Sequence, residues 1–172
     1  MTNGLLKQGT LMQISRSPGG LPKRPIEGPV MLNREGVEAD WQRNRKYHGG
    51  PDKAVLMISA EVLDDLAAKG FTVYPGALGE NLTVSGLDPA NWRSGQRYAI
   101  GEDAVIELTT LRTPCDNLLP YGNGIHAELY DAKCKARNPD TPRWARGGFY
   151  ARVVHRGLLV PGSQIVLQSD LA

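Results

Sequence analysis

Hydrophobic positions along this chain recur mainly at every second residue, in short runs broken by glycine and proline. Residues 9–15 alternate, with Met12 and Ile14 assigned to one face, and residues 104–110 form a β-branched run (Val105, Ile106, Thr109, Thr110). Both patterns predict half-buried strands. Residues 54–58 are apolar throughout and predict a strand buried on both faces. Further short strands are expected at 30–32, 71–74, 79–84, 96–100, 150–155 and 163–167. Helical spacing is rarer. Val62, Leu63, Leu66 and Ala67 share one helical face, Ser59 stands at the N-cap position, and Gly70 follows the end. Ile125 and Leu129, four residues apart, predict a second helix reaching about residue 135, with His126 inside it. Turn chemistry at 17–22, 86–89, 101–103 and 138–142 separates these elements, and Pro161-Gly162 is expected to turn the last hairpin. The inventory predicts a mainly β protein, a closed or nearly closed β-barrel with two or three short helices.

Composition narrows this picture little. With 172 residues the chain can bury a substantial core and reads as a single domain, 1–172. Each half carries ten basic and nine acidic residues, so the net charge of +2 marks no polyanion-binding half. One local excess runs from Lys133 to Arg156, where seven basic residues face Asp140 alone. That cluster suits a phosphate-bearing ligand or a solvated face equally. Two cysteines make no disulfide framework, no apolar run approaches a membrane span of about 20 residues, and no apolar leader opens the chain. A cytoplasmic protein with reduced thiols and no membrane partner is expected.

Two stretches carry candidate chemistry. Directly after the strand predicted at 104–110 comes Leu111-Arg112-Thr113-Pro114-Cys115. Pro114 donates no hydrogen bond and holds Thr113 extended, so the ladder should stop and leave Cys115 at a strand end. There a thiol can serve as nucleophile or soft ligand with Arg112 beside it, or simply pack as a small hydrophobe. The second stretch, 33–55, lacks sustained periodicity and predicts a long loop holding Asp40, Arg43, Arg45, Lys46, His48, Gly49, Gly50 and Lys53. Gly49-Gly50-Pro51 would let backbone N–H groups approach a ligand closely, with basic residues on both sides. His48 suits a structural or a ligand-binding role. Lys23 and Arg24, after the first loop, are expected on solvated surface. Cys134 has no matching pattern and is treated as incidental.

Taken together, residues 36–40 (Gly-Val-Glu-Ala-Asp), 48–55 (His-Gly-Gly-Pro-Asp-Lys-Ala-Val), 79–87 (Gly-Glu-Asn-Leu-Thr-Val-Ser-Gly-Leu), Arg112-Thr113-Pro114-Cys115, and the closing blocks 148–153 and 161–163 resemble the MOSC domain, named for the molybdenum-cofactor sulfurase C-terminal region. The blocks span about residues 10–168, and the chain is most similar to small stand-alone bacterial members. The resemblance implies a PK-barrel-like fold and a molybdopterin-type molybdenum cofactor, with Cys115 as metal ligand. It also implies Arg112, Thr113, Gly49, Gly50, Lys53, Asn81 and Arg45 as cofactor contacts. The activity it implies is reduction of N-hydroxylated small molecules, with Cys115, His48 and Asp40 catalytic and electrons from an external donor. The alternative is a sulfur carrier in which a Cys115 persulfide, charged by a trans-acting donor, delivers sulfur to a metal–sulfur assembly or the cofactor. No pyridoxal phosphate is expected in this chain. Nucleic acid is not an expected partner, because the aromatic–basic interleaving around Trp144, Phe149 and Tyr150 is thin. Two positions depart from the family pattern: Ala39 stands where glycine is usual, and Gln96 where a carboxylate is.

Overall fold

A computed structural model describes residues 7–41 and 49–169. The chain runs β1 (Gln8–Arg16), β2 (Arg24–Pro25), β3 (Val30–Asn33), β4 (Gly36–Val37), β5 (Val55–Ser59), α1 (Ala60–Ala68), β6 (Leu82–Ser85), β7 (Arg97–Ile100), β8 (Ala104–Leu111), α2 (Ile125–Leu129), α3 (Ala132–Lys135), β9 (Phe149–His155), β10 (Gly157–Leu159) and β11 (Gln164–Ser169). Seven strands close in the order β1-β6-β5-β9-β8-β7-β11, and β11 pairs back onto β1. The expected barrel is therefore present and fully closed, with β2 appended to β1 and a small sheet β10-β3-β4 beside it.

β5 explains how the molecule builds two cores from one strand. Its uniformly apolar run is buried at every position. Val55 and Met57 point into the barrel, whereas Leu56 and Ile58 join an outer cluster beneath α1 and α2 with Val62, Leu66, Ile125 and Leu129. The two-residue period of a strand divides the side chains in this way. β5 and β6 are parallel, so they need a crossover, and α1 begins it. Ser59 caps α1 by accepting the Val62 N–H at 3.4 Å.

Five local expectations change. Residues 71–74 form no strand, because this stretch meets the loop ahead of α2 through Thr72 N–H to Tyr121 O. The helix expected from Ile125 to 135 breaks at Tyr130, which is extended, and Asp131 starts α3 by accepting the Cys134 N–H. An Asp offering a cap competes with helix continuation. Pro161-Gly162 turns the chain but closes no hairpin: β10 pairs with β3, whereas β11 enters the barrel. The register of β1 on β6 shifts between Leu11 and Gln13, so Met12 bulges outward while Leu11 and Ile14 fill the core. Finally, the stretch expected as a long loop holds β4, which hairpins onto β3, and a 3₁₀ turn at Pro51–Lys53.

Part of the basic excess from Lys133 to Arg156 is met by ion pairs. Arg146 bonds Asp65 at 2.6 Å, Arg143 reaches Glu128 at 3.5 Å, and Arg152 bonds Glu107 at 2.6 Å. Lys69 joins Asp65 and Glu128, so this network staples α1 to α2. Hydrogen bonds from Arg146 and Lys69 hold Asp65 below its ordinary 3.8, and Lys69 does the same for Glu128 against 4.5. Depressed carboxylates stabilise the fold above their unfolded values, and that contribution disappears as they protonate. No helix among the described residues is long and apolar enough to cross a membrane. Urea denaturation of wild type and Arg146→Ala across pH should show a stability difference that is present at pH 6 and shrinks as pH falls through about 4.5 to 3.

Candidate functional site

The last ladder pair of β8 is Leu111 opposite Phe149, and Arg112 N–H then donates to Gly148 O at 2.9 Å. Beyond it the chain leaves the sheet as an extended strap, as Pro114 predicts. Cys115 is half-buried and free, at the N-cap of a 3₁₀ turn over Asp116–Tyr121. The Arg112 side chain, by contrast, is 3% exposed. Nη2 donates to Leu78 O at 2.8 Å and Nη1 to Gly147 O at 3.3 Å, while buried Nε has no hydrogen-bond partner. The hydrogen bonds of this buried guanidinium go to neutral carbonyls, and the buried Glu80 carboxyl lies within its electrostatic reach.

Tyr150 joins this wall to the glycine turn. Burial pushes its hydroxyl above the ordinary 10.0, the charge of Arg112 opposes the shift, and that of Cys115 adds to it. Lys53 Nζ lies 5.2 Å from the Tyr150 ring centroid. Lys53 is placed by the 3₁₀ turn, where its N–H donates to Gly50 O at 3.1 Å, and by Thr109, whose hydroxyl meets Asp52 O and lies 3.1 Å from Tyr150 O. Thr109 sits at a register shift of β8 on β9. Gly50 has φ +92°, and a Cβ there would meet nothing within 4 Å. The position needs glycine for its backbone, and open space lies beyond it. The fold thus brings Cys115, Arg112, Tyr150 and Lys53 into one wall beside Gly50.

Asp40 and Asn81 lie in a different buried knot. Asp40 accepts from Lys23 Nζ at 2.6 Å, Asn81 Nδ2 at 2.9 Å and Ser17 N–H at 3.0 Å. Asn81 also donates to Ser15 O and accepts the Leu56 N–H. Lys23, expected on solvated surface, is instead 7% exposed, because burial of Asp40 demands a counter-charge. Ala39, at φ +62°, occupies the left-handed region that the family's usual glycine adopts freely, at a cost of about 1 kcal/mol. Gln96 accepts from Arg93 N–H and Tyr98 and donates to Asn91 O. A carboxylate could not make that last bond. Thr113 is exposed, 3.5 Å from the Tyr130 hydroxyl. Arg45 and His48 lie outside the described residues.

Tyr150, Glu80 and His126 were not selected from the sequence as site residues. His126 Nε2 lies 2.8 Å from Cys115 O. Glu80 is fully buried: Oε1 accepts from Gly76 N–H at 2.6 Å and Thr83 at 3.2 Å, and Oε2 has no partner. Burial raises its pKa above 4.5, with Arg112 a smaller opposing influence. Gly76 has φ +93° and touches Lys23 O so closely that any Cβ would collide. The Gly79-Glu80-Asn81 corner, at the start of the stretch expected as a strand, is the local signal in the sequence.

Against known proteins, residues 44–166 match the MOSC domain. The chain belongs to the MOSC domain family. It is 34% identical over 153 residues to the uncharacterized protein YflK of Bacillus subtilis (strain 168), covering 87% of this chain and 63% of that protein. It is 29% identical over 131 residues to protein YiiM of Escherichia coli (strain K12), covering 74% and 56%. A protein of Gibberella moniliformis named "Reductase" is 27% identical over 168 residues, covering 95% of this MOSC chain and 28% of its own length. The chain thus spans less than two thirds of each of these relatives. The solved structure of YiiM from Geobacillus stearothermophilus superposes with a TM-score of 0.68 at 25% identity, covering 94% of this chain and 75% of that one. The YUAD protein of Bacillus subtilis shares the fold, with a TM-score of 0.69 at 17% identity over 95% and 97% of the chains.

Two expected outcomes follow from the buried charges. Lys23→Met strands the Asp40 carboxylate and should cost about 3–5 kcal/mol in urea denaturation. A carboxyl whose folded pKa is raised binds its proton more tightly in the native state, so its contribution is lost as pH rises above 4.5. Glu80→Gln should therefore be at least as stable as wild type at pH 7 and lose the part of the pH dependence that sets in above pH 4.5, read by thermal denaturation.

Proposed function

We propose that this MOSC protein binds a molybdopterin-type molybdenum cofactor with Cys115 as ligand to the metal. It would then reduce N-hydroxylated small molecules, using electrons from an external donor. The observation that carries this reading is the half-buried Cys115 thiol past the end of β8, next to Tyr150, on which the charge of Arg112 also acts and over whose ring Lys53 lies. Among the described residues no group of three or more His, Cys, Asp or Glu could hold a metal ion. A single soft donor suits a metal that arrives with sulfur ligands of its own. The residues present fit such a guest. Arg112 keeps a buried Nε–H without an acceptor, Lys53 adds a second cation for a phosphate, and Gly50 opens backbone to space. Arg45, Gly49 and Thr113 complete the contacts; Asn81, expected among them, is instead fully buried and bonded to Asp40, Ser15 and Leu56. When bound, the cofactor supplies two-electron redox chemistry. The chain's own residues hold the guest, orient the thiol and move protons. His48 and Asp40 are the proton donors that the family resemblance implies; Asp40 accepts from Lys23, Asn81 and Ser17 in the separate knot, so as placed it serves as an acceptor. The relative named as a reductase supports a redox role.

The sulfur-carrier reading draws on one observation: of the two cysteines, only Cys115 is accessible, and Cys134 is sealed in the barrel core. One assay separates the readings. Protein expressed in a host that makes the cofactor should carry about one molybdenum per chain, Cys115→Ser should lose more than about nine tenths of it, and Cys134→Ser should retain it. Metal-free protein that releases sulfur from Cys115 on cyanide treatment would favour the carrier instead. Molybdenum retained in Cys115→Ser would remove the ligand assignment.

A further inference from the structure

The strap that carries Cys115 has few anchors. Of the turn Asp116–Tyr121, only Leu118 is buried, and Asp116, Asn117, Leu119 and Pro120 are exposed. On its N-terminal side the strap is held by buried Arg112. Immediately past it the thiol-bearing residue would be free to shift, were it not for its own carbonyl. Cys115 O accepts from Leu118 N–H at 3.1 Å and faces His126 Nε2 at 2.8 Å.

The position of His126 is itself secured. It lies on α2, whose flanking residues Ile125 and Leu129 are buried in the outer core. Glu128, two residues on, pairs with Lys69, Arg143 and Arg146, and its carbonyl accepts from Arg146 Nε at 2.8 Å. The helix is therefore fixed from both sides, and its imidazole reaches the strap from a rigid base. A backbone carbonyl can only accept, so the ring must present Nε2–H there. None of the roles assigned above uses this residue.

We infer that His126 is a positioning residue for Cys115, holding the strap through the Nε2–H to Cys115 O hydrogen bond so that the thiol keeps one placement in the site. The inference rests on Cys115 being the working thiol. It assigns His126 no contact with substrate or metal. A hydrogen bond to the main chain of the cysteine fixes the origin of its side chain, and misplacement of about 1 Å is enough to impair a ligand or nucleophile.

The two cysteines supply the test. In the full-length protein without added cofactor, iodoacetamide should alkylate Cys115 and spare Cys134, which is buried in the barrel core; mass spectrometry of the two peptides reads each rate separately. In His126→Asn the amide reaches only as far as Nδ1, so the bond to Cys115 O is lost. Cys115 alkylation should then change by about fivefold, the shift expected when a hydrogen bond of about 1 kcal/mol no longer holds the strap. In His126→Gln an amide N–H reaches as far as Nε2, and the rate should return to within about twofold of wild type. Cys134 should stay protected in both variants. The inference is overturned if His126→Asn alkylates at the wild-type rate, if His126→Gln behaves like His126→Asn, or if Cys134 becomes reactive in step with Cys115. The last result would mean that the bond supports the fold as a whole. Molybdenum content of Cys115→Ser is read separately, so failure of the cofactor reading leaves the alkylation comparison intact.

Discussion

The buried Lys23–Asp40 pair, with Asn81 against it, is the constraint on which the geometry of this end of the barrel depends. The two charged side chains are 7% and 4% exposed and 2.6 Å apart. Their removal from water is unfavourable and is offset by their mutual attraction and by the partners that Asp40 and Asn81 find around them. Those partners come from distant parts of the chain: Ser17 after β1, Leu56 in β5, and Asn81 just ahead of β6. One knot thus fixes how the loop after β4 leaves the barrel and how the parallel pair β5–β6 begins. Ala39 is held at positive φ beside it, and the strain is tolerated because the knot over-determines the backbone.

From that end the structure is relayed to the thiol through main-chain contacts. Lys23 N–H donates to Gly76 O, Gly76 N–H donates to Glu80, and Arg112 reaches back to Leu78 O. Arg112 is therefore held by the segment that the Lys23 corner positions. Burial also raises Tyr121, with Tyr74 and Glu80 beside it, to about 12. The wall near Cys115 thus combines one buried guanidinium with neighbours for which burial favours the neutral form. A field of that sign suits an anionic guest or a thiolate.

Much of the architecture was legible from one-dimensional pattern. The uniform apolar run over residues 54–58 announced a strand buried on both faces, and Ser59 and Gly70 marked the bounds of α1. Pro114 correctly ended β8 before Cys115. Positions that failed did so for tertiary reasons. Met12 and Ile14 alternate by sequence, yet a bulge placed them on opposite sides. Lys23 reads as surface until Asp40, seventeen residues on, folds over it. Glu80 stands at the start of a stretch expected as a strand, and nothing in that stretch says that its carboxyl is fully enclosed.

By itself, the sequence determined the barrel strands, α1, the closed β class and the thiol past a strand end, because periodicity, capping and proline act over a few residues. It also carried the ordered motif blocks of the MOSC family. Only the tertiary structure decided which polar groups are buried together: Lys23 with Asp40, Arg112 with Leu78 and Gly147, His126 with Cys115. Those pairings join segments separated by 11 to 35 positions. Their partners are chosen by closure of the barrel, and no local propensity encodes which residue meets which.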